Sequence, residues 1–118
     1  MRDERLQTLH QSVKSAPVIM KGDYPYFIHP LSDGVPMQSS ELLTAARDLI
    51  DDKVNWSKVD KILGIEAMGI PLATALCLIS GKPMVVGRKR EYGLPGETCI
   101  DQSTGYSKGN IYINDIHE

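Results

Sequence analysis

The sequence lacks the features that mark nucleic-acid-binding and membrane proteins. Among its 118 residues, 13 Lys and Arg are balanced by 15 Asp and Glu, and the formal net charge is -2. Binding to nucleic acid usually requires a basic excess or a basic stripe, so we expect no nucleic-acid partner. The longest apolar run, around residues 70–79, is too short to cross a bilayer, and we expect no membrane partner.

Cysteine is scarce, and the N-terminal residues do not resemble an export signal. Cys77 lies in an apolar run and Cys99 in a predicted loop, and the two form no CxxC motif. Metal binding through thiolates is therefore disfavoured, and a disulfide is less common than two free thiols in such a chain. Residues 1–5 are mostly charged and contain no apolar signal core, so we expect a cytoplasmic protein.

What the sequence does contain is typical of one small globular domain. Hydrophobic residues make up 42% of the chain and charged residues 24%. Apolar spacing over residues 6–13 predicts a short amphipathic helix. A second helix is predicted from an N-cap at Ser39 or Ser40 to about residue 51. A third covers residues 71–80, with a proline in its first turn and a glycine just past its end.

Two strands are predicted on either side of the third helix, over residues 59–65 and 83–87, both buried, the first of them over residues 62–65. A strand–helix–strand order predicts a parallel pair with a right-handed crossover, and hence an α/β fold. Residues 21–30 interleave aromatics with prolines and are predicted to be extended. Residues 31–36 then have the composition of a turn.

The last third of the chain is predicted to be mostly irregular. Residues 88–110 are polar and rich in glycine, which predicts one long loop, and residues 111–113 alternate like a short strand. A loop of this length in a compact domain is usually functional or mobile.

Two segments could bind an anion. Residues 64–71, with sequence GIEAMGIP, join a strand to a helix, where free backbone N–H groups can hold phosphate oxygens. Taken alone, a plain strand-to-helix turn explains this segment better. Arg88, Lys89 and Arg90 follow the next strand at the same edge of the sheet and could neutralise a phosphate-rich ligand. A solvated run of charges is the commoner explanation of such a triplet.

Two further segments could close or line a cleft. Residues 102–109, QSTGYSKG, suit a lid, although a hairpin connection is about as well supported. Aromatic side chains over residues 24–30 could stack on a flat base or could fill a core. His29 could act as a general base, but a lone His between Ile and Pro is more often structural. No catalytic triad, metal-ligand spacing or P-loop motif is present, so no metal ligand is assigned.

In this order, the four segments resemble the archaeal-type hypoxanthine phosphoribosyltransferases, which are related to adenine phosphoribosyltransferases. The similarity runs from about residue 16 to residue 116 and rests on the aromatic segment, on GIEAMGIP, on GRKREYGLPGE at residues 87–97 and on QSTGYSKG. It implies the type I phosphoribosyltransferase fold, a parallel sheet with flanking helices and an N-terminal hood. It also implies transfer of ribose 5-phosphate from phosphoribosyl pyrophosphate (PRPP) to hypoxanthine or guanine, with Mg²⁺ as cofactor, by a homodimer.

The resemblance also implies roles for individual residues. The pyrophosphate-binding group would comprise Glu66, Ala67, Met68, Gly69, Arg88, Lys89 and Arg90. The lid would comprise Tyr92, Gly96, Glu97, Ser103, Thr104, Tyr106 and Lys108. Phe27 and Ile28 would belong to the hood over the base.

Two departures from the family pattern qualify these expectations. Adenine-specific relatives usually carry an arginine where this chain has Met68, which favours the hypoxanthine type. The adjacent acidic pair and the Thr/Gly-rich PRPP-binding loop of the family are not found up to Glu118. We therefore expect residues 1–118 to be a single domain truncated before that loop, and the catalytic residues stay unknown. A non-catalytic purine- or phosphoribosyl-binding domain and a remnant of the family are the alternatives.

Overall fold

The computed structural model describes residues 3–104 and 108–117. Four α-helices are assigned within them: α1 (Glu4–Lys14), α2 (Pro30–Asp33), α3 (Ser40–Asp51) and α4 (Gly69–Ser80), with a short 3₁₀ helix at Trp56–Lys58. The strands of the same residues are β1 (Val18–Lys21), β2 (Tyr24–Phe27), β3 (Ile62–Ile65), β4 (Met84–Gly87), β5 (Thr98–Ser103) and β6 (Lys108–Ile113). None of the described helices is both long enough and apolar enough to cross a membrane.

The three predicted helices are confirmed, and their ends follow local chemistry. Asp3 caps α1 by accepting the N–H of Arg5, and Ser39 caps α3 by accepting the N–H of Leu42. α4 begins two residues earlier than predicted, at Gly69, and ends at Gly81, whose φ of 75° is favourable only for glycine. Cys77 in this helix is a free thiol, as is Cys99.

The strand–helix–strand unit is confirmed as a parallel pair. β3 and β4 run side by side in register, from Ile62 opposite Met84 to Ile65 opposite Gly87. The chain crosses between them through α4, which packs on both strands. The carboxyl ends of β3 and β4 therefore lie together, and the segments that follow them start at the same edge.

The predicted burial of both strands is wrong. Leu63 and Ile65 in β3 are 47% and 40% exposed, and only Gly64 in that strand is buried. In β4 the side chains are half-buried until Gly87. The reason is that α4 covers one face of the pair, so alternate side chains of β3 point to the opposite face, which no described element covers.

The prediction of one long loop over residues 88–110 is also wrong for the second half of that range. β5 and β6 form an antiparallel hairpin with six paired positions, from Thr98 opposite Ile113 to Ser103 opposite Lys108. The hairpin joins the parallel pair where Arg88 and Tyr112 exchange backbone hydrogen bonds of 2.9 and 2.7 Å. Of the predicted loop, residues 88–97 remain irregular.

The N-terminal part adds a second hairpin. β1 and β2 pair antiparallel, which agrees with the extended structure predicted for residues 21–30, although the pairing itself was not predicted. The turn predicted over residues 31–36 begins as the short helix α2, and the chain reverses at Gly34, with a φ of 72°. The buried hydrophobic side chains of the described residues come from α3, α4 and β6: Leu42, Ala45, Ala46, Ala73, Leu76, Ile111 and Ile113.

Candidate functional site

The turn between β3 and α4 is built on a close approach of two backbone segments. A Cβ atom on Gly64 would lie 2.7 Å from the Cβ of Ala73 and 3.0 Å from the carbonyl oxygen of Gly69. Glycine at position 64 lets the strand pass directly against the first turn of α4. Residues 66–68 are therefore held at the carboxyl edge of the strand pair, next to the start of the helix.

Glu66 connects this turn to the segment that follows β4. Its backbone N–H donates to the carbonyl of Gly87 at 2.9 Å, and its carboxylate accepts the backbone N–H of Lys89. The other carboxylate oxygen lies 3.5 Å from Nη2 of Arg88. The structure thus brings together two segments that the sequence predicted to be neighbours.

The three consecutive cations do not point the same way. Arg88 pairs with Glu66, and its Nε is buried without a hydrogen-bond partner in the described part of the chain. Lys89 faces a cavity at the strand edge. The guanidinium of Arg90 instead lies over the ring of Tyr92, 4.6 Å from its centroid. Of the triplet, Lys89 is the cation placed to meet a ligand in this cavity.

The cavity has a volume of about 420 Å³ and, besides Ile65 and Lys89, is bordered by three parts of the fold. The turn contributes residues 66–69, the N-terminal part contributes Tyr26, Ser32 and Asp33, and the β5–β6 hairpin contributes Gln102 and Thr104. A neighbouring cavity of about 500 Å³, between β3, α4 and Leu31, has no charged side chain among the described residues that line it. The first cavity combines a cation, the N-terminal end of α4 and an aromatic ring, and it is the candidate site.

Asp33 organises the part of the cavity wall that comes from the N-terminal part of the chain. Its carboxylate accepts hydrogen bonds from Tyr26 Oη at 2.7 Å, Ser32 Oγ at 2.8 Å and the His29 N–H at 3.0 Å. Partial burial raises the pKa of Asp33, but these hydrogen bonds and the charge of Lys21 outweigh it and hold the pKa below its ordinary value. Asp33 is therefore ionised at neutral pH and fixes the ring of Tyr26 at the cavity.

No family model matches the chain. The hypoxanthine/guanine phosphoribosyltransferase of Ferroglobus placidus is 57% identical over 111 residues, which is 94% of this chain and 59% of the relative. The enzyme of the same name from Methanohalophilus mahii is 54% identical over 113 residues, covering 96% and 59%. A protein named HGPRTase-like protein 1, from Haloferax volcanii, is 51% identical, covering 96% and 60%.

The chain is a homologue of these phosphoribosyltransferases. It spans about 60% of the length of the curated relatives it matches. Identity above one half over nearly the whole chain confirms the resemblance predicted from the four motifs.

Solved structures confirm that this chain contains part of the phosphoribosyltransferase fold. The adenine phosphoribosyltransferase of Rhodothermus marinus matches with a TM-score of 0.66 and 18% identity, over 92% of this chain and 61% of the other. The enzyme from Trypanosoma brucei, solved with AMP, pyrophosphate and ribose-5-phosphate, matches with a TM-score of 0.65 and 15% identity, over 90% and 47%. At such low identity the likeness concerns the fold alone.

The two residues predicted for the phosphoribosyltransferase hood lie on the β1–β2 side but not in the cavity lining. Phe27 is 48% exposed, and Ile28 donates its N–H to the carbonyl of Pro17 at 2.7 Å. Tyr26, their neighbour, lines the cavity instead. The sequence indicates Tyr26 only as one of the aromatics over residues 24–30 that could stack or fill a core, and Asp33 only as part of the turn over residues 31–36.

His29 has a structural role. It is 4% exposed, its Nδ1 accepts the N–H of Leu31 at 3.1 Å, and its Nε2 lies 2.8 Å from Ser12 Oγ. Because Nδ1 accepts a backbone N–H, the ring proton is on Nε2, which donates to Ser12. Both ring nitrogens are used, and His29 caps α2 and ties it to α1.

The described residues that were predicted for the lid lie in two places, the β5–β6 hairpin and the irregular segment after β4. Thr104 lines the cavity, whereas Ser103 and Lys108 pair at the end of the hairpin. Tyr106 lies outside the described residues. Tyr92, Gly96 and Glu97 belong to the irregular segment after β4.

Glu97 holds this irregular segment in place. Its carboxylate accepts from Asn114 Nδ2 at 2.9 Å and from the N–H groups of Tyr92 and Gly93 at 3.1 Å each. The hydrogen bond from Asn114 is the main cause that lowers the pKa of Glu97, and the two backbone donors act in the same direction against desolvation. The carboxylate thus anchors the loop to the chain that follows β6.

Proposed function

We propose that the complete protein transfers the 5-phosphoribosyl group of PRPP to hypoxanthine or guanine, giving IMP or GMP and pyrophosphate. The observation that carries this proposal is the cavity in which the turn 66–69 and Lys89 face Tyr26 and Asp33. It combines the two requirements of the reaction, a place for a strongly anionic leaving group and a place for a flat base. The relatives from Ferroglobus placidus and Methanohalophilus mahii are named hypoxanthine/guanine phosphoribosyltransferase, which supports the proposal.

The chemistry explains why these groups would be needed. Breaking the bond between the ribose carbon and pyrophosphate develops positive charge on the sugar and negative charge on the leaving oxygen. Backbone N–H groups at the start of α4 and the ammonium of Lys89 would stabilise that negative charge. In this proposal the backbone of residues 66–69 holds pyrophosphate oxygens, and Arg88 and Arg90 add positive charge around them.

The base would lie on the opposite side of the cavity. We propose that Tyr26 stacks on the purine and that Phe27 and Ile28 cover it as a hood. The β5–β6 hairpin, which brings Gln102 and Thr104 to the cavity, would close over the donor and exclude water from the reacting carbon. The adenine phosphoribosyltransferase of Trypanosoma brucei, solved with AMP and pyrophosphate, supports this class of ligand for the fold.

The described residues do not fit a magnesium site built by this chain alone. No group of three or more His, Cys, Asp or Glu side chains is found in them, and the acidic oxygens at the cavity already accept hydrogen bonds from protein donors. Mg²⁺ in phosphate-transfer sites is commonly held by substrate phosphates and water with one or two carboxylates. We therefore propose that Mg²⁺ arrives with PRPP, and we derive no step through it.

The proposal also includes a cytoplasmic homodimer. Apolar side chains are exposed on one face of the β1–β2 hairpin, where Val18 and Met20 are 63% and 61% exposed. Exposed apolar groups clustered on one element are usually covered by a partner. Light scattering on the complete protein would give twice the mass of one chain, and a monomer mass would contradict this part of the proposal.

The function is tested by product formation in the complete protein. Purified protein is incubated with PRPP, Mg²⁺ and hypoxanthine, guanine or adenine, and nucleotides are identified by mass spectrometry. We expect IMP and GMP and little AMP. If the protein binds purine without forming nucleotide, the non-catalytic binding domain is the better description.

A further inference from the structure

The carboxylate of Glu66 contacts the hydrogen-bond donors that an incoming anion would use. One oxygen accepts the backbone N–H of Lys89, and the other lies 3.5 Å from the guanidinium of Arg88. The side chain is only 22% exposed, yet it borders the cavity. It is thus held between the turn and the segment after β4, within the proposed pyrophosphate site.

A carboxylate cannot help to bind pyrophosphate at this position. Both are oxyanions, and both prefer the same donors, which are backbone N–H groups and guanidinium. Two anions within a few ångströms repel each other, and the ionised Asp33 adds further negative charge to the same cavity. Pyrophosphate could take the Lys89 N–H and the Arg88 guanidinium only if Glu66 leaves them.

Arg88 does not line the cavity itself, and its contact with Glu66 leaves donors unused. Its Nε is buried and has no hydrogen-bond partner among the described residues, while Nη2 faces Glu66. A guanidinium presents its donors in a fixed fork, and a single contact at 3.5 Å to a carboxylate leaves that fork incompletely used. The Glu66 carboxylate therefore leaves some donors of Arg88 without an acceptor. A ligand with more oxygen atoms can displace this carboxylate from the guanidinium.

We propose that Glu66 is an internal placeholder for pyrophosphate. In the free protein its carboxylate holds the Lys89 N–H and the Arg88 guanidinium, and the diphosphate group of the substrate or product displaces it. By competing for these donors, Glu66 weakens pyrophosphate binding and favours release of the product. This inference rests on the proposed function, because it assumes that a diphosphate enters this cavity.

The test compares Glu66→Gln with the wild type in the complete protein. Gln keeps the size of the side chain and one acceptor oxygen but removes the charge that competes with the ligand. Calorimetric titration with inorganic pyrophosphate should show binding that is about threefold to tenfold tighter in the variant. Glu91→Gln is the matched control, since Glu91 is exposed and does not line the cavity, and its affinity should equal that of the wild type.

A second measurement works on the wild type and does not depend on the variant folding. The carboxyl carbon of Glu66, assigned by NMR, should shift when pyrophosphate is added, together with the amide of Lys89. An unchanged Glu66 carboxyl signal at saturating pyrophosphate would overturn the proposal. Weaker binding in Glu66→Gln would overturn it as well, because Glu66 would then support the site.

Failure of the underlying function has a different signature. If the wild type, Glu66→Gln and Glu91→Gln all fail to bind pyrophosphate, the proposed function fails and the placeholder with it. If the wild type binds pyrophosphate and Glu66→Gln binds it less well, the function stands and only the role of Glu66 is rejected.

Discussion

Lys89 is the cation of the triplet 88–90 that borders the candidate site. Removing its side chain should therefore weaken donor binding most selectively. We expect Lys89→Ala to raise the dissociation constant for PRPP by about tenfold to a hundredfold, since a hydrogen bond to a charged group contributes about 1.5–3 kcal/mol. Titration of the complete protein with PRPP measures the effect. Lys53→Ala, an exposed lysine away from the cavity, is the control and should leave the affinity unchanged. Equal affinities for the two variants would exclude Lys89 from the site.

Gly64 tests whether the turn depends on close backbone contact. A methyl group at this position would meet Ala73 at 2.7 Å, so Gly64→Ala should destabilise the protein by about 1–3 kcal/mol through overpacking. Gly109→Ala is the matched control, because a Cβ there meets no atom of the described residues within 4 Å. Urea unfolding of both variants gives the comparison, and similar midpoints would contradict the packing of β3 on α4.

Asp33 predicts a dependence of stability on pH. Since the folded state lowers its pKa, the carboxylate contributes stability that is complete above its ordinary pKa and is lost as the pH falls through the lowered value. Asp33→Asn should therefore cost about 1–2 kcal/mol at neutral pH and much less at an acid pH below the lowered pKa, where the wild-type carboxyl is also protonated. Unfolding free energies measured at both pH values test this. A cost that is the same at both would show that the charge of Asp33 is not what stabilises the loop.

At the scale of elements, the β5–β6 hairpin is attached to the body through strand β6, which lies beside β4. Ile113 is 2% exposed, whereas Ile100 in the paired strand is 47% exposed. We expect Ile113→Ala to destabilise the protein by about 2–5 kcal/mol, and Ile100→Ala by about 0.5 kcal/mol or less. Thermal or urea unfolding separates the two. Comparable losses would mean that the hairpin packs differently from the structure.

The elements that could be predicted from sequence are those determined by local signals. Ser39, Pro71 and Gly81 mark helix ends by their own chemistry, and the order strand–helix–strand predicts the parallel pair of β3 and β4. β5 could not be predicted in the same way, because its polar residues become a strand only by pairing with β6. The neighbouring positions of the turn 66–69 and Lys89 followed from topology, whereas the hydrogen bonds around Asp33 depend on the fold of residues 26–33.

At the scale of the whole molecule, composition indicated which side chains could be buried but not which face would be covered. The apolar residues of β3 predicted a buried strand, and the structure leaves Leu63 and Ile65 partly exposed because α4 packs on one face only. The chain matches about 60% of the length of its curated relatives, so phosphoribosyl transfer is proposed for the complete protein only. The cavity at the carboxyl edge of β3 and β4 is nevertheless formed by residues of this chain.

The central claim is that this cavity holds the pyrophosphate end of the donor. The most direct measurement is a crystal structure of the complete protein grown with pyrophosphate and GMP. We predict electron density for pyrophosphate against residues 66–69 and Lys89, with the base of GMP beside Tyr26. Pyrophosphate bound elsewhere, with Glu66 still contacting Lys89, would contradict both the site and its proposed occupant.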